Sequence, residues 1–455
     1  MTFHSPEFIL FLAAVVPLYF LLPFRFRNTL LLAASAFFYM WWRPEYILII
    51  LFSVTVDYFI AFGLGHDERP GKRRVLLIVS LVSNLGLLFF FKYSRFAAQT
   101  LRAALGLAHV DWQPPAVDLV LPIGISFHTF QALSYTIDVY RGRIPVERSL
   151  PRLWVYVLFF PQLVAGPIER AGRLLPQFDE PHRPDPDAIA SGLRCILWGL
   201  VKKVVIADRL ALLADAVFDG PRHGSGLGVL IGAYAFAFQI YADFSGYSDI
   251  AIGSARLLGF RLMENFDRPY FAASPADFWR RWHISLSTWF RDYVYIPLGG
   301  DRHGKARWVA AILITFLLSG LWHGANWTFV AWGAVHGVLL LVSRFLERLP
   351  KALRTVLTFH LVTLGWIYFR APSLGDAHAL MARLFTGPWT AALPAAYQGS
   401  QLALAGLGVG ALLVADLRLR PPPSPALRWA ALLIGALLVL NGRPEIDLPF
   451  IYFQF

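Results

Sequence analysis

Residues 308–341, WVAAILITFLLSGLWHGANWTFVAWGAVHGVLLL, form one apolar run of 34 residues. A single membrane crossing takes roughly 20 residues, so the run must double back. A helical hairpin or a broken, re-entrant passage satisfies the length, with the polar residues Ser319, His323, Asn326 and His336 and four glycines near the break. A polar ionisable group at membrane depth is costly and marks a functional site by default. His323, flanked by glycines and by Trp322 and Trp327, is therefore the residue to explain.

The rest of the chain supports membrane embedding. Of its 455 residues 57% are hydrophobic and 15% charged, against about 45–50% and about 25% in a soluble domain. The fold class is an all-α polytopic membrane protein, read as one membrane-embedded domain over 1–455. Lys and Arg number 41 against 29 acids. The excess falls in short loops, where the positive-inside rule accounts for it, so a nucleic-acid partner is not expected. Cys195 is the only cysteine, which removes an intrachain disulfide and a thiolate zinc site. No HExxH or cysteine cluster occurs, and no metal is expected. The start of the chain lacks a basic region and a small-residue cleavage site, so a retained first span is expected.

Spans are predicted near 6–22, 29–42, 45–64 and 74–91, followed by a longer loop at 92–116 with room for a short surface helix. The basic loop at 65–74 places that side in the cytoplasm and the N-terminus outside. Residues 121–131 are apolar but interrupted by Pro122, Gly124, Ser126 and His128. A short segment covers 153–166, and further spans cover 188–207 and 226–243 with a short piece at 250–260. Later spans fall at 355–369, 400–415 and 427–440, the last two separated by the proline-rich turn at 418–425. The total is about ten to twelve membrane segments by the ~20-residue criterion. No internal repeat is visible.

Between 275 and 298, Phe278, Trp282, Leu286, Phe290 and Tyr293 recur at helical spacing, with Arg280, Arg281 and Arg291 elsewhere. The pattern predicts one amphipathic helix lying in the interface. On it His283 shares a flank with Arg280 and Ser287. That flank suits either phosphate binding or plain headgroup anchoring, and Arg280 and Arg281 are the phosphate candidates. Residues 239–249, QIYADFSGYSD, put Asp243 and Asp249 in an apolar run. A buried carboxylate needs a partner, either a histidine it orients or an arginine.

Several motifs occur together: WHISLS at 282–287, the embedded Trp322-His323-Gly324, DFSGYSD at 243–249, LPIGISFHTFQ at 121–131, SYTIDVYR at 134–141 and PQLVAGPIER at 161–170. In combination and order they resemble the membrane-bound O-acyltransferases. The nearer likeness is to the bacterial branch of alginate O-acetyltransferases and, more distantly, teichoic-acid D-alanyl transferases. The resemblance implies a ring of transmembrane helices, with re-entrant and interfacial helices, around a central tunnel. It makes His323 and His283 the catalytic pair, with Trp282, Trp322, Asn326, Asp243 and Ser319 along the substrate tunnel. The donor is expected to be acetyl-CoA (or another acyl-CoA) from the cytoplasm, with no permanently bound cofactor. The expected location is the bacterial inner membrane, and the expected partners are lipid, a periplasmic or membrane-anchored acyltransferase and a polysaccharide acceptor. His323 would take the proton of an acceptor hydroxyl and return it to the leaving thiolate.

The chain ends LPFIYFQF at 448–455. Its F-x-Y-F is similar to the end of the small companion peptide in the teichoic-acid branch, which makes Tyr452 an acyl-relay candidate beside the simpler reading of an aromatic interface anchor. A transporter or export component without acyl transfer is the competing function, and a structural scaffold the third.

Overall fold

The computed structural model describes residues 1–114, 120–164, 166–220, 225–302, 304–389, 400–417, 425–441 and 450–451. Tyr452, the rest of the 448–455 tail apart from Phe450 and Ile451, and most of the proline-rich turn at 418–425 lie outside them. The described residues contain helices and no strand. That follows from the solvent: lipid offers backbone groups no partners, and helices satisfy their own.

Among the described residues, six helices are long and apolar enough to cross a membrane: Pro44–His66, Pro70–Leu107, Gly226–Leu257, Lys305–His323, Trp327–Leu346 and Lys351–Arg370. Pro6–Leu21 and Leu402–Asp416 are shorter and apolar. Helix starts are written into the sequence. Pro6, Pro70 and Pro275 open helices, where a missing N–H costs nothing. Ser5, Ser274, Asn326 and Ser373 accept backbone N–H bonds as side-chain caps.

The chain divides into two compact units, residues 1–192 with 254–263, and residues 193–253 with 264–455. In the first, Phe3, Phe8, Phe11, Phe38 and Phe160 pack as an aromatic cluster. Its buried carboxylate, Asp57, accepts from Ser80 Oγ at 2.5 Å and Asn84 Nδ2 at 2.8 Å, so neighbouring helices supply what water does not. Leu10, Leu21, Phe52, Phe59 and Val82 point outward and are exposed, as lipid-facing side chains are.

Three expectations change. The helix Pro70–Leu107 runs through a π turn at Phe89–Tyr93, so the loop expected from residue 92 begins only after Leu107. Lys92 sits inside that turn with Nζ 3.4 Å from Ser126 Oγ, a cation absorbed rather than expelled. The pieces expected at 226–243 and 250–260 are one helix of 32 residues, Gly226–Leu257, because the intervening polar side chains find partners. The single amphipathic helix expected over 275–298 is broken in two. Residues 308–341 do form a hairpin, Lys305–His323 and Trp327–Leu346. Its arms touch backbone to backbone: a Cβ on Gly320 would lie 2.2 Å from Phe329 O, and one on Gly333 2.3 Å from Phe316 O.

Candidate active site

The second unit holds both histidines. His323 ends the first arm of the hairpin, and Gly324 leaves it extended (φ −160°, ψ 149°). Asn326 Oδ1 then accepts from Thr328 N at 3.1 Å, and its Nδ2 donates to Pro372 O at 3.1 Å. Both ends of the Asn326 amide thus fix the turn. The buried His323 ring is walled by Trp322, Trp332 and Phe369, with centroids at 5.0, 5.1 and 5.3 Å.

His283 arrives from the broken segment. Helix Pro275–Arg281 stops at an extended Trp282, His283 takes the left-handed conformation (φ 43°, ψ 55°), and Ile284–Phe290 resumes. A left-handed histidine is uncommon and must be held by its surroundings. Asn265 does the holding. Its carbonyl oxygen accepts from Ile284 N at 2.9 Å, and its Oδ1 accepts from Ser285 N at 3.2 Å and Ser285 Oγ at 2.9 Å. Two of the donors freed by the break, Ile284 N and Ser285 N, are thereby satisfied, and the flank shared by His283, Arg280 and Ser287 in a continuous helix does not form.

The break turns the imidazole inward, where it is buried. It lies edge-to-face on Phe244 at 4.6 Å, 6.1 Å from the Trp322 ring and 6.5 Å from the His323 ring. Burial pushes its pKa down to about 3, so it is a neutral imidazole at ordinary pH. Trp282, next to it, packs on Phe278, Trp366 and Phe266 with centroids at 5.4, 5.0 and 5.1 Å.

The long helix Gly226–Leu257 forms another wall. Asp243 pairs with a lysine, neither a histidine nor an arginine: Lys203 Nζ lies 3.1 Å from its Oδ1 and 2.7 Å from Asp208 Oδ1. Asp249 pairs with Lys202 Nζ at 2.5 Å. The other carboxylate oxygen of Asp243 accepts from Ile451 N at 2.8 Å, and Phe450 stacks on Tyr247 at 3.9 Å. Phe450 and Ile451 are thereby fastened beside Phe244, which lies against His283.

A cleft of about 680 Å³ opens between the broken segment and the hairpin. Its apolar lining includes Trp279, Ile284, Leu286 and Phe316, and its cations are Arg280, Arg291 and Arg344. Ser319, one helical turn before His323, is in the lining. Arg281 is not: its Nε donates to Asp277 Oδ1 at 3.0 Å, and its Nη1 lies 3.5 Å from Asp267 O.

The geometry thus groups His323, His283, Trp322, Trp282 and Asp243, puts Ser319 and Arg280 on the cleft, and gives Asn326 and Arg281 to local architecture. The sequence reading passed over Asn265, Lys203, Trp332, Phe369 and Arg344. Asn265, 18 residues before His283, carries no local signal at all.

Residues 144–370 match the model of the membrane-bound O-acyltransferase family. The chain is 39% identical to the "Probable alginate O-acetylase AlgI" of Azotobacter vinelandii, with both chains covered in full. It is 36% identical to the peptidoglycan O-acetyltransferase of Helicobacter pylori, over 82% of this chain and 78% of the relative. With the teichoic acid D-alanyltransferase of Bacillus subtilis the identity is 29%, over 60% of this chain and 74% of the relative.

Proposed function

Since the chain belongs to the membrane-bound O-acyltransferase family and to its alginate O-acetylase-like branch, we propose that it carries acetyl groups from cytoplasmic acetyl-CoA across the membrane to an exported or cell-surface polysaccharide. The chain is a multi-pass membrane O-acyltransferase of a kind that modifies polysaccharides. The observation that carries the finer reading is the pairing of two buried imidazoles, 6.5 Å apart, with an arginine-rimmed cleft one turn along the same hairpin.

The chemistry runs as follows. His323 takes the proton of an acceptor hydroxyl as the oxygen attacks the thioester carbonyl. The C–S bond then breaks, and the proton passes from His323 to the departing thiolate. No proton is gained or lost overall. His283, neutral and held rigid, orders the reacting groups from the opposite side. In the cleft, Arg280, Arg291 and Arg344 suit the phosphates of a coenzyme A donor, and the apolar lining suits its pantetheine arm. The acetyl group then passes to a periplasmic or membrane-anchored partner, in the inner membrane, that completes transfer to the glycan. Tyr452 is proposed as the intermediate carrier. The fastening of Phe450 and Ile451 beside Asp243 and Tyr247 supports that role.

The test is transfer from labelled acetyl-CoA by purified protein. General-base help is worth roughly 10²–10⁴-fold, so His323→Ala should lose turnover by that factor while its thermal midpoint in detergent stays near wild type. Wild-type turnover in that variant would overturn the assignment. A wild-type protein that moves substrate without cleaving the thioester would instead support a transporter.

A further inference from the structure

Asn265 does more than close a helix break. Its Oδ1 lies 3.2 Å from Ser285 N, and a backbone N–H can only donate, so the atom there must be the amide oxygen. The opposite assignment would set two donors against each other. The amide nitrogen then faces Ser248 Oγ at 3.2 Å, which accepts. His283 Nδ1 is 3.2 Å from that same Oδ1. An amide oxygen has lone pairs and no proton, so Nδ1 must be the nitrogen that carries hydrogen. A lone pair on Nδ1 would face the Oδ1 lone pairs at hydrogen-bond distance. Ser285 Oγ, 3.4 Å from Nδ1, spends its own proton on Oδ1 at 2.9 Å and faces the ring as an acceptor.

We infer that Asn265 is a positioning residue that locks His283 in the Nδ1–H tautomer, so that Nε2 is the ring's hydrogen-bond acceptor. A neutral imidazole of this tautomer cannot donate from Nε2. It can take a hydrogen bond from the nucleophile's hydroxyl or from an N–H on the facing imidazole. His283 is thus an acceptor that aligns the attacking group, and His323 is left to move the proton. The inference rests on the acyl-transfer reading for its consequence in rate, though not for the tautomer itself.

The experiment is ¹⁵N NMR of the full-length protein in detergent with labelled histidine, the His283 signals identified by their loss in His283→Gln. The expected wild-type signature is a pyrrole-like Nδ1 and a pyridine-like Nε2. Asn265→Ala should mix the tautomers and lower kcat, with KM for acetyl-CoA little changed. A wrong tautomer behind a catalytic histidine costs up to ~10⁴-fold in a serine protease, and lost orienting partners of ligand histidines roughly 10–100-fold. The expected loss here is roughly 10–100-fold. Asn265→Asp keeps the acceptor oxygen at the same size. It should restore the Nδ1–H signature and most of kcat near neutral pH, then lose activity on acidification, because a carboxylate beside the ring favours its protonated form. A wild-type spectrum with hydrogen on Nε2 would overturn the inference. So would an Asn265→Ala variant whose kcat falls with the tautomer unchanged, which would make Asn265 purely structural. If the spectra behave as expected but no variant, wild type included, cleaves acetyl-CoA, the tautomer stands and the acyl-transfer reading fails.

Discussion

At the scale of single residues, His283 is held by burial, backbone conformation and a hydrogen bond together. It is buried, left-handed in backbone and bonded through Nδ1, and burial holds its pKa at about 3 against 6.5 in an unfolded chain. Between those values the unfolded state binds more protons than the folded one, so stability rises with pH across that window and falls as pH drops through it. The limiting slope is about 1.4 kcal/mol per pH unit for one such group. Thermal midpoints in detergent from pH 7 down to 4.5 should therefore fall more steeply for wild type than for His283→Gln. The difference between the two isolates this histidine from other titrating groups. Parallel profiles would mean that His283 is solvated and chargeable in the folded protein.

At the scale of elements, what was readable was what repeats along the chain. Apolar length gave the hairpin at 308–341, and the histidine within it needed no structure to be noticed. The break at Trp282–His283 was not readable. Its cause is Asn265, a distant polar side chain that replaces the helix's own carbonyl partners, and local periodicity cannot report a distant acceptor. The continuity of Gly226–Leu257 was hidden for the same reason, since Asp243 and Asp249 looked like interruptions until Lys203 and Lys202 were seen beside them.

Where the broken segment meets the hairpin, Arg280 from one and Arg344 from the other line the same cleft. Phosphates of the proposed coenzyme A donor held there would be remote from the reacting carbonyl and would bind alike in ground and transition states. Such contacts appear in KM rather than kcat. Hydrogen bonds to charged groups are worth about 1.5–3 kcal/mol, so Arg280→Glu and Arg344→Glu should each raise KM for acetyl-CoA roughly 10–100-fold with kcat nearly constant. S-acetylpantetheine, which has no phosphate, should be used equally well by wild type and variants. A matching loss with that substrate would place the arginines in the architecture of the cleft instead.

At the scale of the whole molecule, the chain closes on itself. Ile451 N donates to Asp243, 208 residues earlier, and Phe450 stacks on Tyr247 of the same helix. Phe450 and Ile451 are buried, at a carboxylate already paired with Lys203, and this supports the proposed role of the residue that follows them. Tyr452 follows directly in sequence and lies outside the described residues. As a carrier its phenol oxygen would attack the thioester carbonyl, lose its proton to His323 and release the thiol. The resulting aryl ester, a better acyl donor than an alkyl ester, would then be open to a second hydroxyl. Wild-type protein incubated with acetyl-CoA should accordingly yield an acetylated C-terminal peptide by mass spectrometry, and His323→Ala should not. Tyr452→Phe keeps the ring and removes the nucleophile, so it should abolish both that peptide and glycan acetylation while leaving the thermal midpoint unchanged. Undiminished glycan acetylation by Tyr452→Phe would send the acceptor hydroxyl to the thioester directly, with the tail left as a plug.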